Sequence, residues 1–146
     1  MIVISSSLFG LSVNLSLAGR YFGGEFKESF LPKEKYPGIV FIALAEAEGL
    51  FVSKGALFID SRSREEYSAG HILGAVSVPY DEKREILAPA DFGTSPDKTV
   101  VVYCHGGDCK MSVNLAKVLS TSGFKNIKIY SGGWAEWVSA RLPVEK

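Results

Sequence analysis

Cysteine is scarce in this chain, with only Cys104 and Cys109 among 146 residues. A small secreted scaffold stapled by disulfides needs more than that, so this class is excluded. An excess of charge is also missing, because sixteen basic and sixteen acidic side chains cancel. No Lys/Arg cluster is present to track a phosphate backbone, so no nucleic-acid partner is expected. No block of like charges marks a disordered tail, and no internal repeat stands out. Histidine is limited to His71 and His105. Cys104, His105 and Cys109 are ligand-type side chains, but adjacent Cys-His is poor zinc spacing and a fourth ligand is lacking. No metal is expected.

What is present fits one domain around one core. Apolar residues make up 47% of the chain and charged residues 22%, ordinary values for a globular protein. Residues 1–37 stand apart from the rest. Met1 to Gly19 carries no charge, and Arg20 is the first charged residue. A spanning helix needs about 20 mostly apolar residues, and here serines and Asn14 interrupt the run. The stretch is a poor signal peptide, with neither a basic start nor a clear cleavage site. Two readings stay open: a membrane tether over residues 1–19, or an apolar arm packed on the domain. Arg20, Lys27, Lys33 and Lys35 would keep the following domain on the cytosolic side of any such tether. The expected location is therefore cytoplasmic, or membrane-associated and facing the cytosol. Gly23-Gly24, Pro32 and Pro37 mark residues 20–37 as linker.

From Gly38 to Lys146, strands alternate with helices. The apolar runs 39–42, 56–60, 75–78, 99–103 and 127–130 read as strands, several of them continuous in the manner of buried parallel strands. Helices are expected over 43–51, after Ser63 as cap with Glu65 and Glu66 in the first turn, from Asp81 through Leu87, over 111–121 ending before Gly123, and around Trp134 and Trp137. This pattern predicts an α/β fold: a small, doubly wound, mostly parallel sheet with helices on both faces. Ligands of such sheets bind beyond the carboxyl ends of the strands.

Cys104 lies at one of those ends. The segment Tyr103-Cys104-His105-Gly106-Gly107-Asp108-Cys109-Lys110-Met111-Ser112 takes the chain from a strand, through a glycine-rich loop, into a helix. Glycines let successive N–H groups form an anion-binding nest, and a helix start adds unpaired donors and the positive end of its dipole. A thiolate there is stabilised and becomes a better nucleophile at neutral pH. The same donors suit an oxyanion or a terminal persulfide sulfur. His105 to Ser112 therefore form the candidate anion-binding loop, with Cys104 as nucleophile. Asp108 is expected to point to solvent, since an inward carboxylate would oppose an anion. Cys109 is a candidate resolving thiol that would close a disulfide with Cys104. Asp60, Arg62 and His71 are supporting candidates: the first two as an ion pair or cap near the loop, His71 as a structural hydrogen bond in a turn.

Asp60-Ser61-Arg62, followed by Glu66-Tyr67-Ser68-Ala69-Gly70-His71-Ile72-Leu73-Gly74-Ala75, resembles the rhodanese pattern D-x-R…E-[FY]-x-x-G-H-I-x-G-A. Val101 to Cys104 resembles the strand entering the rhodanese active loop, and Gly123-Phe124, Gly132-Gly133-Trp134 and Trp137 resemble its closing pattern. The resemblance covers about Ile39 to Val144. It implies a sulfurtransferase that moves sulfane sulfur through a persulfide on Cys104, with no cofactor beyond that covalent intermediate. The implied partners are a small sulfur-containing anion or sulfane donor and a thiol or protein acceptor. Cys109 stands where the family's usual loop arginine would be, and the loop counts about two residues longer than the common form. Two alternatives remain: a cysteine-dependent oxyanion enzyme of phosphatase or arsenate-reductase type, and a non-enzymatic redox-sensing or protein-binding module using Cys104 and Cys109.

Overall fold

The computed structural model describes residues 38–80, 88–107 and 110–146. The arm and linker over 1–37, the helix expected from Asp81 to Leu87, and the loop residues Asp108 and Cys109 lie outside the described residues. Among the described residues, no helix is long and apolar enough to cross a membrane.

The chain runs β1 (Ile39–Ile42), α1 (Leu44–Val52), β2 (Ala56–Asp60), α2 (Arg64–Ala69), β3 (His71–Ile72), β4 (Val76–Ser77), a 3-10 turn (Pro89–Phe92), β5 (Thr99–Tyr103), α3 (Lys110–Thr121), β6 (Asn126–Tyr130), α4 (Gly133–Ser139) and β7 (Val144–Glu145). Five strands form one sheet in the order β1-β6-β5-β2-β4. Every pairing in it is parallel. The α/β architecture expected from the alternating pattern is the one observed.

Side chains of a strand alternate between faces, and β5 shows how both faces are filled. Val100 and Val102 join a core with Leu115, Ala116 and Leu119 of α3. Val101 and Tyr103 join a second core with Ala47 of α1 and Trp137 of α4. Helices therefore cover both sides of the sheet. A strand buried on both faces has no polar face to show, which is why β5 reads as a continuous β-branched run. In the second core Trp137 is the hub. Its ring meets Phe51 at 5.2 Å, Phe58 at 5.8 Å and Tyr130 at 6.0 Å, and its indole N–H donates to the Pro143 carbonyl at 3.0 Å.

α2 is only six residues long and holds together through its N-terminus. The Glu66 N–H donates to Ser63 Oγ and the Ser63 N–H donates to Glu66 Oε2, each at 3.2 Å. This capping box satisfies donors that a short helix leaves unpaired. A second, two-stranded antiparallel sheet pairs β3 with β7. Two-residue strands carry no periodicity, so this pair left no mark in the sequence.

Two neighbours on α4 give a direct test of where stability resides. Trp137 is fully buried, whereas Val138 is 45% exposed. Trp137→Ala is expected to cost about 3–5 kcal/mol, and Val138→Ala no more than about 0.5 kcal/mol. Urea unfolding of both variants measures the difference.

Candidate active site

β5 is the middle strand of the sheet, and Cys104 follows its last residue. The thiol position is therefore flanked by the carboxyl ends of β2 and β6. Cys104 itself is 2% exposed. On the β2 side, the Ser61 N–H and hydroxyl both donate to the Tyr103 carbonyl, at 2.9 Å and 2.8 Å. On the β6 side, the loop is held by the start of α4. The Trp134 N–H donates to the Cys104 carbonyl at 2.8 Å and the Ala135 N–H to the His105 carbonyl at 2.9 Å. Those donors would otherwise lack partners at the helix start. Here they fix the first two residues of the loop.

The contact requires glycine on both sides. Gly133 has φ +60°, and a Cβ there would sit 2.5 Å from the Cys104 carbonyl oxygen and 2.8 Å from the Gly106 nitrogen. Gly106 has φ +139°, and a Cβ on it would meet the Gly132 carbonyl at 2.6 Å. Two backbones touch without intervening side chains, so the diglycine before Trp134 is part of the loop's seat.

Beyond Gly107, α3 begins at Lys110 and runs twelve residues. The loop thus ends at a helix N-terminus, where unpaired N–H groups and the dipole favour negative charge. His105, Gly107, Lys110 and Met111 are exposed, Gly106 is half-buried and Ser112 is buried in the first turn of α3. Asp108 and Cys109, expected in the same loop, lie outside the described residues. Cys104 is in disulfide form, and among the described residues no cysteine is free. A disulfide sulfur carries no thiolate, so any nucleophilic chemistry at Cys104 requires reduction. Among the described residues, no group of three or more His, Cys, Asp or Glu is placed to hold a metal ion.

Asp60 and Arg62 form a buried ion pair beside this loop, with residue exposures of 0% and 2%. Arg62 Nη2 donates to Asp60 Oδ2 at 2.7 Å, Nε reaches both carboxylate oxygens at 3.1 Å, and the Arg62 backbone N–H donates to Oδ1 at 2.9 Å. Nη2 also donates to the Gly70 carbonyl at 2.7 Å, and the guanidinium lies 4.7 Å from the Trp134 ring centre. Burial works against the charge of Arg62, but the Asp60 hydrogen bonds and charge outweigh it and hold its pKa above the ordinary value. Tyr103 lies beneath. Its hydroxyl accepts from the Ile72 N–H at 3.1 Å, and burial, then the Asp60 charge, push its ionisation well above the usual tyrosine range.

His71 lies in a separate contact. Its ring stacks on Tyr67 at 3.6 Å, with Nδ1 2.9 Å from the Tyr67 carbonyl and Nε2 3.2 Å from Glu145 Oε1. Glu145 also accepts from the Gly74 N–H at 2.7 Å. His71 thus ties β7 to the turn after α2. The structure brings Asp60, Arg62, Cys104, His105 and Gly106 together around α4. It adds Ser61 and Trp134, which sequence reasoning had not placed there. The signal for Trp134 was its position after two glycines; for Ser61 there was only its position between Asp60 and Arg62.

Comparison with known proteins agrees with this geometry. The model of the rhodanese-like domain matches residues 43–140. This chain belongs to the rhodanese-like domain family. It is 33% identical over 144 residues to 3-mercaptopyruvate sulfurtransferase of Escherichia coli K12, covering 84% of this chain and 48% of that protein. It is 35% identical over 88 residues to the HTH-type transcriptional regulator Rv0324 of Mycobacterium tuberculosis, covering 60% of this chain and 37% of that protein. The chain spans about half, or less, of the length of these curated relatives. Among solved structures, the human single-domain sulfurtransferase TSTD1 aligns with a TM-score of 0.54 and 25% identity, over 68% of this chain and 95% of that one.

Two outcomes test the rhodanese-like domain's ion pair and the phenol beneath it. Asp60→Ala strands a buried guanidinium and is expected to cost about 3–5 kcal/mol; a loss under about 1 kcal/mol in urea unfolding would match an exposed pair instead. Below the ordinary tyrosine pKa of about 10, folded and unfolded chains both keep the Tyr103 proton, and its contribution is fully present. Above it the unfolded chain releases the proton while the folded one retains it, so stability falls by about 1.4 kcal/mol per pH unit from this group. Tyr103→Phe removes that part of the alkaline slope in unfolding curves taken from pH 9 to 11.

Proposed function

We propose that this domain is a sulfurtransferase in which Cys104, once reduced, carries sulfane sulfur as a persulfide. The observation that carries the reading is the position of Cys104. It lies at the carboxyl end of the central strand, entering a glycine loop that closes on the N-terminus of a twelve-residue helix. The family membership supports it, and so do a relative and a structural neighbour that are sulfurtransferases by name.

The Cys104 thiolate attacks the outer sulfur of a sulfane donor. The donor's S–S bond breaks and its remainder leaves with the electron pair, as sulfite when the donor is thiosulfate. The terminal sulfur on Cys104 is then anionic, and loop N–H groups from His105 onward together with the first turn of α3 suit that charge. Lys110 adds a point charge without the planar fork of an arginine, so it attracts an anion but orients it weakly. An acceptor thiolate takes the outer sulfur and returns the Cys104 thiolate. Asp60 and Arg62 are positioning residues here, acting through Trp134 and the strand end rather than on sulfur. The partners are a sulfane donor and a thiol, free or on a protein, and a reducing environment is needed to keep Cys104 active.

The test is intact mass spectrometry of the reduced protein after thiosulfate or polysulfide, with Cys104→Ser and Cys109→Ser alongside. One added sulfur in Cys109→Ser and none in Cys104→Ser is the expected result. No adduct on Cys109→Ser with either donor would overturn the reading.

A further inference from the structure

Among the described residues, the side-chain hydroxyls of Ser77 and Ser131 are shielded from solvent and lack a hydrogen-bond partner. A buried hydroxyl without a partner costs stability, so its presence calls for a use. The sheet register places Ser131 beside the sulfur. Val102 of β5 is opposite Ile129 of β6, and two residues further along each strand come Cys104 and Ser131. The β1–β6 ladder reaches that far: the Ile127 N–H donates to the Gly38 carbonyl at 2.9 Å, and four residues on the Ser131 N–H donates to the Ile42 carbonyl at 3.2 Å. Alternation along a strand then sets the face. Val100, Val102, Ile127 and Ile129 all lie in the core with α3, so Cys104 and Ser131 continue that row on the side where α3 begins. On the other flank, β2 brings Ser61 to the same layer, but its hydroxyl is spent on the Tyr103 carbonyl at 2.8 Å. Ser77 is in register with Asp60, and Asp60 with Tyr103, on the opposite face of the sheet.

We propose that the Ser131 hydroxyl donates a hydrogen bond to the outer sulfur of the Cys104 persulfide. The proposal rests on the persulfide reading above and adds the side-chain donor that holds the transferred atom. Neighbouring strands lie about 4.8 Å apart, which is long for a hydrogen bond from Ser131 to the Cys104 thiolate. A persulfide extends the Cys104 side chain by an S–S bond of about 2 Å, so its outer sulfur can close that gap. The negative charge on this sulfur makes the bond stronger than one between neutral groups. The hydroxyl therefore stabilises the sulfur-loaded form more than the bare thiolate and shifts exchange with a donor toward the persulfide. Because it is otherwise unpaired, it gives up no protein contact in doing so.

The experiment measures the equilibrium between Cys104 thiolate plus thiosulfate and persulfide plus sulfite, read by intact mass spectrometry over a range of sulfite-to-thiosulfate ratios. Reduced Cys109→Ser protein, which keeps one thiol, is the parent, and Ser131→Ala, Ser131→Thr and Ser77→Ala are each added to it. Ser131→Ala is expected to lower the equilibrium constant by about 10-fold or more, as for loss of a hydrogen bond to a charged group. Ser131→Thr keeps the hydroxyl and is expected to restore most of that loss. Alkylation of Cys104 by iodoacetamide is expected to stay within about twofold in Ser131→Ala, because the thiolate and its loop are unchanged. The urea midpoint of Ser131→Ala is expected to equal or exceed the parent's, because an unpaired hydroxyl has been removed. Ser77→Ala is expected to share that stability and to leave the sulfur equilibrium unchanged. An equilibrium constant in Ser131→Ala within about twofold of the parent's overturns the proposal and leaves the sulfurtransferase reading intact. So does a fall that comes with a lower urea midpoint or equally slowed alkylation, that Ser77→Ala matches, or that Ser131→Thr does not relieve. No sulfur adduct on the parent, with thiosulfate or polysulfide, overturns both.

Discussion

A guanidinium buried beside the carboxyl ends of the central strands needs a carboxylate, and the site is organised around that need. Arg62 is 2% exposed and its partner Asp60 fully buried. Desolvating two charges costs several kcal/mol each unless hydrogen bonds replace the lost water. The replacements here are specific: Asp60 accepts from the side chain and the backbone of Arg62, and Gly70 and the Trp134 ring take the remaining face. Each contact belongs to a different element. Asp60 ends β2, Gly70 ends α2, and Trp134 opens α4. The pair therefore fixes the relative placement of three elements around Cys104 without touching sulfur.

The same logic explains the division of labour between two helix N-termini. α4 spends its first donors on the carbonyls of Cys104 and His105. It is thereby a clamp on the loop, and those donors are no longer available to an anion. α3 begins just beyond the loop, and a helix N-terminus is where a charged sulfur of the kind proposed on Cys104 would be favoured. A single helix could not serve both purposes, because a donor bonded to the loop backbone cannot also stabilise the nucleophile.

Much of this framework was legible in the residues. β2 and β5 matched the continuous apolar runs at 56–60 and 99–103, and Ser63 is the cap of α2. These features are local: burial on both faces writes a run of apolar residues, and a cap needs one side chain at one position. α1, β4, β6 and α3 differ from the sequence reading by only a residue or two at their ends, where helices and strands fray. What stayed hidden was non-local. The β3–β7 pair joins residues 71–72 to 144–145, the Glu145 bond to Gly74 spans most of the domain, and the seat of the active loop on Gly133 joins segments that no periodicity links. A motif can mark such residues as special, but only the fold shows that Trp134 serves at once as a backbone donor to Cys104 and an aromatic face for Arg62.

The ease of reducing Cys104 and the nucleophilic role proposed for it follow from one electrostatic cause. A loop that stabilises the Cys104 thiolate lowers its basicity, and a less basic thiolate is a better leaving group in thiol–disulfide exchange. Any donor set that suits a persulfide sulfur therefore also eases reduction of a disulfide at the same atom, provided the reductant attacks the sulfur opposite Cys104. The helix N-terminus at Lys110 thus favours reduction at Cys104 as much as the attack on a sulfane donor proposed for it.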